Sequence, residues 1–273
     1  MSPFIGSEAI ALGALTRARL RWNYTAIHPD VYLANGQERD VRTNAEAAWL
    51  WTRRTGIVAG RAAAALHGAS EVPDSAPIEL ISKQRRRQPG VIVRNERIEA
   101  DEVQTIASMR VTSPARTALD LARHLPRDQA VVILDQLAAA TGIDFRQAAE
   151  LVYRYRGASG VEPGWTALSL MDGGARSPME TRVRLALIDG GLPAPRAGIV
   201  VGSGPTAVVV GMGWERAKVG VSYCETGDVP MEHQILRAEL LHEMGWFEIQ
   251  VLAEHSTRMM VLRARHALRL HRR

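Results

Sequence analysis

Few residues in this 273-residue chain have the types and spacing to do chemistry. Glu239 and His242 stand three apart in ELLHE (239–243). On a helix that puts a carboxylate and an imidazole on one face. Carboxylate-bridged di-metal sites use such a pair twice, with further glutamates. One copy is found here, which reads as surface or half-buried helix. The eight histidines show no other ligand spacing. Cys224 is the single cysteine, which excludes an internal disulfide and a cysteine-rich zinc site. No neighbouring base in the sequence would activate its thiol. GSGPTA (202–207) matches a dinucleotide-binding glycine pattern on paper. That motif needs a helix opening inside it, so that amides and dipole face a pyrophosphate. Pro205 and the β-branched run after it favour a strand instead, and the segment reads as a turn.

The stronger signal is positive charge. Net charge is +5 with an isoelectric point near 9.8, carried mainly by arginine, which suits bidentate phosphate contact better than lysine. Arg17, Arg19 and Arg21 alternate in RARLRW. Thr16 is the expected N-cap and Leu20 the inward residue. Tyr24 to Ile27 and Val31 to Leu33 read as strands around the His28-Pro29-Asp30 turn. An arginine helix followed by a hairpin is the outline of a helix-turn-helix with a wing. It is equally the outline of a small helix with solvated arginines. A second cluster, KQRRRQPG, places Lys83, Arg85, Arg86 and Arg87 between strands expected at 78–81 and 91–93. As a hairpin tip it could grip a phosphate backbone, or be a solvated turn. The tail after Glu254 has six arginines and no acid.

These residues need elements to hold them. Helices are expected over 43–54, 60–69, 130–140 and 165–171. Ser113-Pro114 opens another, with Ala115, Ala118, Leu119 and Ala122 as its buried face. Arg116, Asp120 and His124 then share the opposite face, as an ion-pair ladder of ~0.2–0.5 kcal/mol per pair. Asp144 and Gln147 cap the next helix. Ser177, Pro178 and Glu180 form a capping box, and Met179, Val183, Ala186 and Leu187 the stripe behind it. Strands follow at 199–201, 207–210 and 219–223, a helix at 236–244, a strand at 247–252 and a basic helix along Met260, Ala264 and Ala267. The boundary between two regions, 1–160 and 165–273, falls in the Gly- and Pro-containing stretch 154–164. The first splits into a winged-helix-like 7–34 and a mixed α/β 43–156. The fold class is α+β / α/β. No signal peptide is read at the N-terminus, and no apolar run approaches the roughly 20 residues of a membrane span. With the lone thiol, this suits a cytoplasmic protein.

Taken in order, GSEAIALGALTRARL…IHPDVYL, GRAAAALHGA, RVTSPARTALDLAR, SPMETRVRLALIDGGLP and LLHEMGWFEIQVL resemble actinobacterial two-part proteins. Those join an AbiEi-antitoxin-like, winged-helix DNA-binding half to a half related to very-short-patch-repair endonucleases. The resemblance implies a restriction-endonuclease-like fold for the second half. It also implies a helix Glu after Ser-Pro, an Asp in the first central strand and two acids in the next. Here the first matches Glu180. The strand Asp falls on Gly211, the paired acids on Ser222 and Cys224, and the following histidines near Gly227 and Asp228.

Nucleases of this type hold Mg²⁺ with strand carboxylates, and glycine and serine do not replace them. The resemblance therefore implies a non-catalytic DNA-binding protein, an antitoxin-type transcriptional regulator with no cofactor. Its expected partners are double-stranded DNA, touched through Arg17, Arg19, Arg21, Lys83, Arg85, Arg86 and Arg87, and a cognate toxin. Two alternatives stand beside it. One is a Mg²⁺-dependent endonuclease whose acids have migrated to Glu215, Glu225 or Asp228. The other is a toxin-binding module that never touches DNA.

Overall fold

A computed structural model describes residues 2–84, 86–204, 207–224 and 231–271, with Met231 described by its backbone. The chain is a mixed α/β protein with three sheets and an α+β, two-region character.

The chain starts with β1 (Phe4–Ile5), α1 (Gly6–Ala11), α2 (Arg17–Asn23), β2 (Tyr24–His28) and β3 (Val31–Ala34). The strands form an antiparallel sheet in the order β1-β3-β2. Thr16 caps α2 as expected, its hydroxyl accepting from the Arg19 N–H at 3.2 Å. The β2–β3 turn is held by Asp30, at φ 63°. Its carboxylate accepts from the Ser7 N–H and hydroxyl, and its carbonyl from the Gly6 N–H. Ile5, Leu20, Val31 and Leu33 are buried. A small unit thereby gains an apolar centre and leaves the other faces of α2 in water.

Next come α3 (Val41–Trp51), β4 (Ile57–Ala59), α4 (Gly60–Leu66), β5 (Ile78–Ile81), β6 (Val91–Arg94), β7 (Val103–Ile106) and β8 (Met109–Thr112). Four helices follow: α5 (Pro114–His124), α6 (Arg127–Thr141), α7 (Phe145–Arg154) and α8 (Val161–Ser169). The sheet order is β6-β5-β4-β8-β7. Ala47, Leu50, Ala63 and Leu66 pack on Val58, Leu80 and Val111, while Leu119, Leu134, Leu137 and Leu168 form a separate helical core.

Two expectations fail in this region. The basic cluster is no hairpin tip, because β5 and β6 are parallel, with Ile78 opposite Val91 and Ile81 opposite Arg94. The connection from β5 must therefore lead back to the start of a strand running the same way, as a parallel pair requires. Nor is the Arg116 ladder on the surface. α5 is buried nearly all round, with Arg116 fully enclosed and Asp120 almost so. Its apolar stripe lies inward as the spacing indicates, but the 96–102 segment and Tyr155 at the end of α7 close over the polar face too.

The last region runs α9 (Pro178–Asp189), β9 (Arg196–Val201), β10 (Val208–Trp214), β11 (Val219–Tyr223), α10 (Met231–Glu243), β12 (Phe247–Val251) and α11 (Thr257–Leu270). The sheet is β12-β11-β10-β9, antiparallel except for β11–β12, whose crossover is α10. GSGPTA therefore joins two antiparallel strands, although Pro205 and Thr206 lie outside the described residues. α9 and α11 pack together and share the Val183, Met212, Ile249 and Ala264 core, while α10 covers β10 and β12. Met260, Ala264 and Ala267 are buried as expected. α9 also packs on α6. There the buried Asp135 carboxylate accepts from Arg184 and the Thr181 hydroxyl, each at 2.7 Å, and from the Asp172 N–H. Burial, partly offset by Arg184, holds the Asp135 carboxyl above its usual range. No described helix is long and apolar enough to cross a membrane.

Candidate functional site

α2 presents Arg17, Arg19 and Arg21 to solvent. With Leu20 pinned inward, the two neighbours on either side must point out. Arg17 and Arg21, one helical turn apart, line a shallow groove with Ser7, Ile10, Tyr24 and Tyr32. Arg19 is not part of that lining. Trp22, which no sequence pattern singles out, is 75% exposed on the same helix. In the returning loop Lys83, Arg86 and Arg87 are exposed, and Arg85 lies outside the described residues. Lys83 lines a different groove, with Glu96 and Arg110. None of these described cations has a carboxylate partner among the described residues. A basic side chain with no internal counter-ion keeps its full charge for an external anion.

The third place where sequence pointed is a cleft of about 910 Å³ in the last region. Glu180, Ser222 and Cys224 line it, with Arg176, His233, Arg237 and Gln250 among others. Gly211 does not line it but adjoins Glu180: a Cβ there would lie 2.8 Å from Glu180 Oε1. The structure thus brings Glu180, Gly211, Ser222 and Cys224 together. Ser177 caps α9, accepting from the Glu180 N–H at 3.2 Å. The reciprocal half of the expected box is displaced by one residue, since Glu180 Oε2 accepts from the Arg176 N–H at 2.8 Å.

Two residues missed in sequence form an ion pair at the cleft: Arg237, which lines it, and Glu248, which lies behind Ser222. Glu248 on β12 accepts from the Ser222 hydroxyl at 2.6 Å. Arg237 on α10 donates to both Glu248 oxygens, at 2.5 and 3.0 Å, and to the Val209 carbonyl at 2.8 Å. The Gly211 N–H in turn donates to Ser222 Oγ at 3.0 Å. Burial, followed by the Glu248 charge, pushes the Cys224 thiol up. The alternation in FEIQV, with Ile249 and Val251 inward, does set Glu248 on the other face. Nothing in the sequence says that Arg237 would meet it.

The donor set does not fit the divalent ion of a nuclease. A hard cation needs several free oxygens. Here the Glu248 oxygens are taken by Arg237, the Ser222 hydroxyl by Glu248 and one Glu180 oxygen by a backbone N–H. No group of three His, Cys, Asp or Glu among the described residues could hold a metal. Glu215, an acid of the endonuclease alternative, is half-exposed, pairs with Arg196 at 2.7 Å and is not among the described residues that line the cleft. Glu225, Gly227 and Asp228 lie outside the described residues.

A fourth cluster is built around Arg116. Its guanidinium donates to Asp120 (2.9 Å), Glu102 (2.8 Å), Glu96 (2.9 Å) and the Arg97 carbonyl (3.0 Å), and lies 4.8 Å from the Tyr155 ring centre. Arg154 and the Tyr155 hydroxyl bind Glu102 from the other side. Three carboxylates share one guanidinium. Burial lifts the Asp120 carboxyl to about 6 despite Arg116. His124, followed by Arg123, holds Glu96 at about 2 against the opposing effect of burial. The contacts span segments far apart in sequence, so spacing within α5 could show only the Asp120 bond.

Residues 55–173 match the AbiEi antitoxin C-terminal domain family. That stretch runs from just before β4 past the end of α8 and contains the Arg116 cluster. Uncharacterised proteins from two strains of Mycobacterium tuberculosis are 28% identical to the chain over 198 residues, 70% of this chain and 72% of theirs. No solved structure matches. The chain is thus similar over its middle part to an antitoxin domain, and that part carries the buried charge cluster rather than the cleft.

Proposed function

We propose that this chain is a non-catalytic, DNA-binding regulator of antitoxin type. The observation that carries the proposal is the order of its parts. A two-helix, three-strand unit with unpaired Arg17, Arg19 and Arg21 on α2 precedes, with α3 between, a segment similar to an antitoxin domain. The small unit has the outline of a winged helix, in which one helix reads the groove and neighbouring basic groups bind phosphates. Lys83, Arg86 and Arg87 add phosphate contacts from the returning loop. The division of labour falls near residue 160. The region from residue 165 is read as a scaffold of restriction-endonuclease type, because helix, three strands, crossover helix and strand follow one another there, with no metal-holding group of acids among the described residues. The protein works in the cytoplasm, on duplex DNA, and a cognate toxin is its second partner.

Fluorescence anisotropy against duplex DNA from upstream of its own gene tests the proposal. Affinity is expected to fall steeply with salt, at about 0.9 log units per log unit of salt for each phosphate neutralised. Replacing Arg17, Arg19 and Arg21 by alanine is expected to reduce the slope by about one for each phosphate left without its arginine. No binding at low salt, or a slope untouched by the triple variant, overturns the reading. Supercoiled plasmid incubated with Mg²⁺ or Mn²⁺ tests the endonuclease alternative. Nicking that disappears in Glu180→Ala would establish it.

A further inference from the structure

We propose that Arg237 occupies the cation seat of the cleft, so that the protein carries a fixed internal cation where a divalent ion would sit. With the guanidinium removed, Glu248, the Ser222 hydroxyl and the Val209 carbonyl bind a hard metal ion. This rests on the non-catalytic reading of the last region and gives it a physical cause.

One nitrogen of the guanidinium has the surroundings of a bound cation. Arg237 Nη2 lies 2.5 Å from Glu248 Oε1, 2.8 Å from the Val209 carbonyl and 3.4 Å from Ser222 Oγ. A carboxylate, a carbonyl and a hydroxyl converging on one point are the donor types that hard cations select. Nε closes a bidentate fork on Glu248 at 3.0 Å, the strongest geometry for an arginine–carboxylate pair. Glu248 is 8% exposed and Arg237 28%. A buried carboxylate needs a counter-charge, and guanidinium supplies one that cannot be titrated away.

Exclusion follows from charge and space. A divalent ion approaching Glu248 meets the guanidinium on the oxygens it needs and is repelled by it. A Cβ at Gly211 would lie 2.8 Å from Glu180 Oε1 and 3.2 Å from the Val221 carbonyl oxygen, so a side chain there would have to push the Glu180 carboxylate aside. Glu248 itself is already neutralised by the arginine on its oxygens.

The test uses Mn²⁺ titrated into the full-length protein, followed by the loss of the free-ion EPR signal and by the thermal midpoint. Wild type and Glu248→Gln are expected to take up equally little, with no Mn²⁺-dependent rise in midpoint. Arg237→Gln removes the charge but keeps a neutral donor. It is expected to bind Mn²⁺ at least about tenfold more tightly than wild type. The gain should vanish in Arg237→Gln/Glu248→Gln, and added guanidinium ion at non-denaturing concentration should compete. Circular dichroism establishes that the variants are folded. Mn²⁺ uptake by wild type that Glu248→Gln abolishes overturns the proposal, and that arm does not depend on Arg237→Gln folding. A folded Arg237→Gln that binds no better than wild type overturns it too. DNA affinity of the same proteins is read separately: wild type that binds no DNA defeats the regulator reading and leaves the metal result standing.

Discussion

Replacing Arg116 by alanine should be among the most damaging single changes in this chain. The side chain is fully buried and neutralises three carboxylates. Removing one partner of a buried ion pair costs about 3–5 kcal/mol, because the other charge stays buried without compensation. The lower end applies here. Glu102 keeps Arg154 at 2.7 Å and the Tyr155 hydroxyl, Glu96 keeps Arg123 at 2.9 Å, and Asp120 keeps Arg123 at 3.8 Å. About 3 kcal/mol is a large part of the ~5–15 kcal/mol that holds a domain folded. It corresponds to a fall of about 6–12 °C in thermal midpoint at 2–4 °C per kcal/mol. The assay is urea unfolding at neutral pH beside Arg97→Ala. Arg97 pairs with Glu99 at 2.6 Å but is 71% exposed, and water screens such a pair until it contributes little. If Arg116→Ala shifts the urea midpoint no further than Arg97→Ala, the claim that burial gives the Arg116 cluster its importance is wrong.

Asp120 carries a pH signature. Its folded pKa of about 6 lies above its ordinary 3.8. The folded state therefore holds the proton more tightly, and this group's contribution is full below about pH 4 and is lost as pH rises through 6. The stability of Asp120→Asn relative to wild type should rise across that window, and a flat difference between pH 4 and 7 in urea titrations would exclude the shift. Glu96, held at about 2, works in the opposite direction. Its contribution is present above its ordinary 4.5 and is lost as pH falls towards 2, so Glu96→Gln should flatten the acid limb of the unfolding curve. Gly60→Ala should destabilise by about 1–3 kcal/mol, because φ is +55° and a Cβ would sit 2.6 Å from the Glu79 carboxylate; an unchanged thermal midpoint would refute it. Replacing Lys83, Arg86 and Arg87 together by alanine should leave stability within about 0.5 kcal/mol and lower DNA affinity for all sequences alike. A loss confined to one sequence would instead mean base readout.

Local chemistry was legible in the sequence because it depends on neighbours along the chain. Thr16, Ser113, Asp144 and Ser177 all cap helices where their spacing indicated, since a cap is made within three residues. The Asp30 turn, the inward Leu20 and the apolar face of α11 follow from the same short-range rules. So does the exposure of Arg19 and Arg21 beside a buried leucine; Arg17, three residues before Leu20 and on its side of the helix, does not follow from that rule. The α9 stripe holds only at Val183 and Leu187: Met179 and Ala186 are half-buried, and Glu180, Thr181, Arg184 and Leu185 are buried because packing encloses α9 on more than one side. What failed was long-range. The 82–90 loop looks like a hairpin tip until β6 pairs parallel to β5, a choice made by the whole sheet. Arg116 looks like a surface residue until α7 and the 94–102 segment close over it.

The cleft divides in the same way. That Gly211, Ser222 and Cys224 carry no carboxylate is written in the chain, because residue identity requires no folding to read. Which charged groups meet beside them was settled by packing alone. Arg237 and Glu248 belong to a helix and a strand whose facing sides are set by sheet register and helix docking. A buried carboxylate must find its counter-ion wherever that packing puts one.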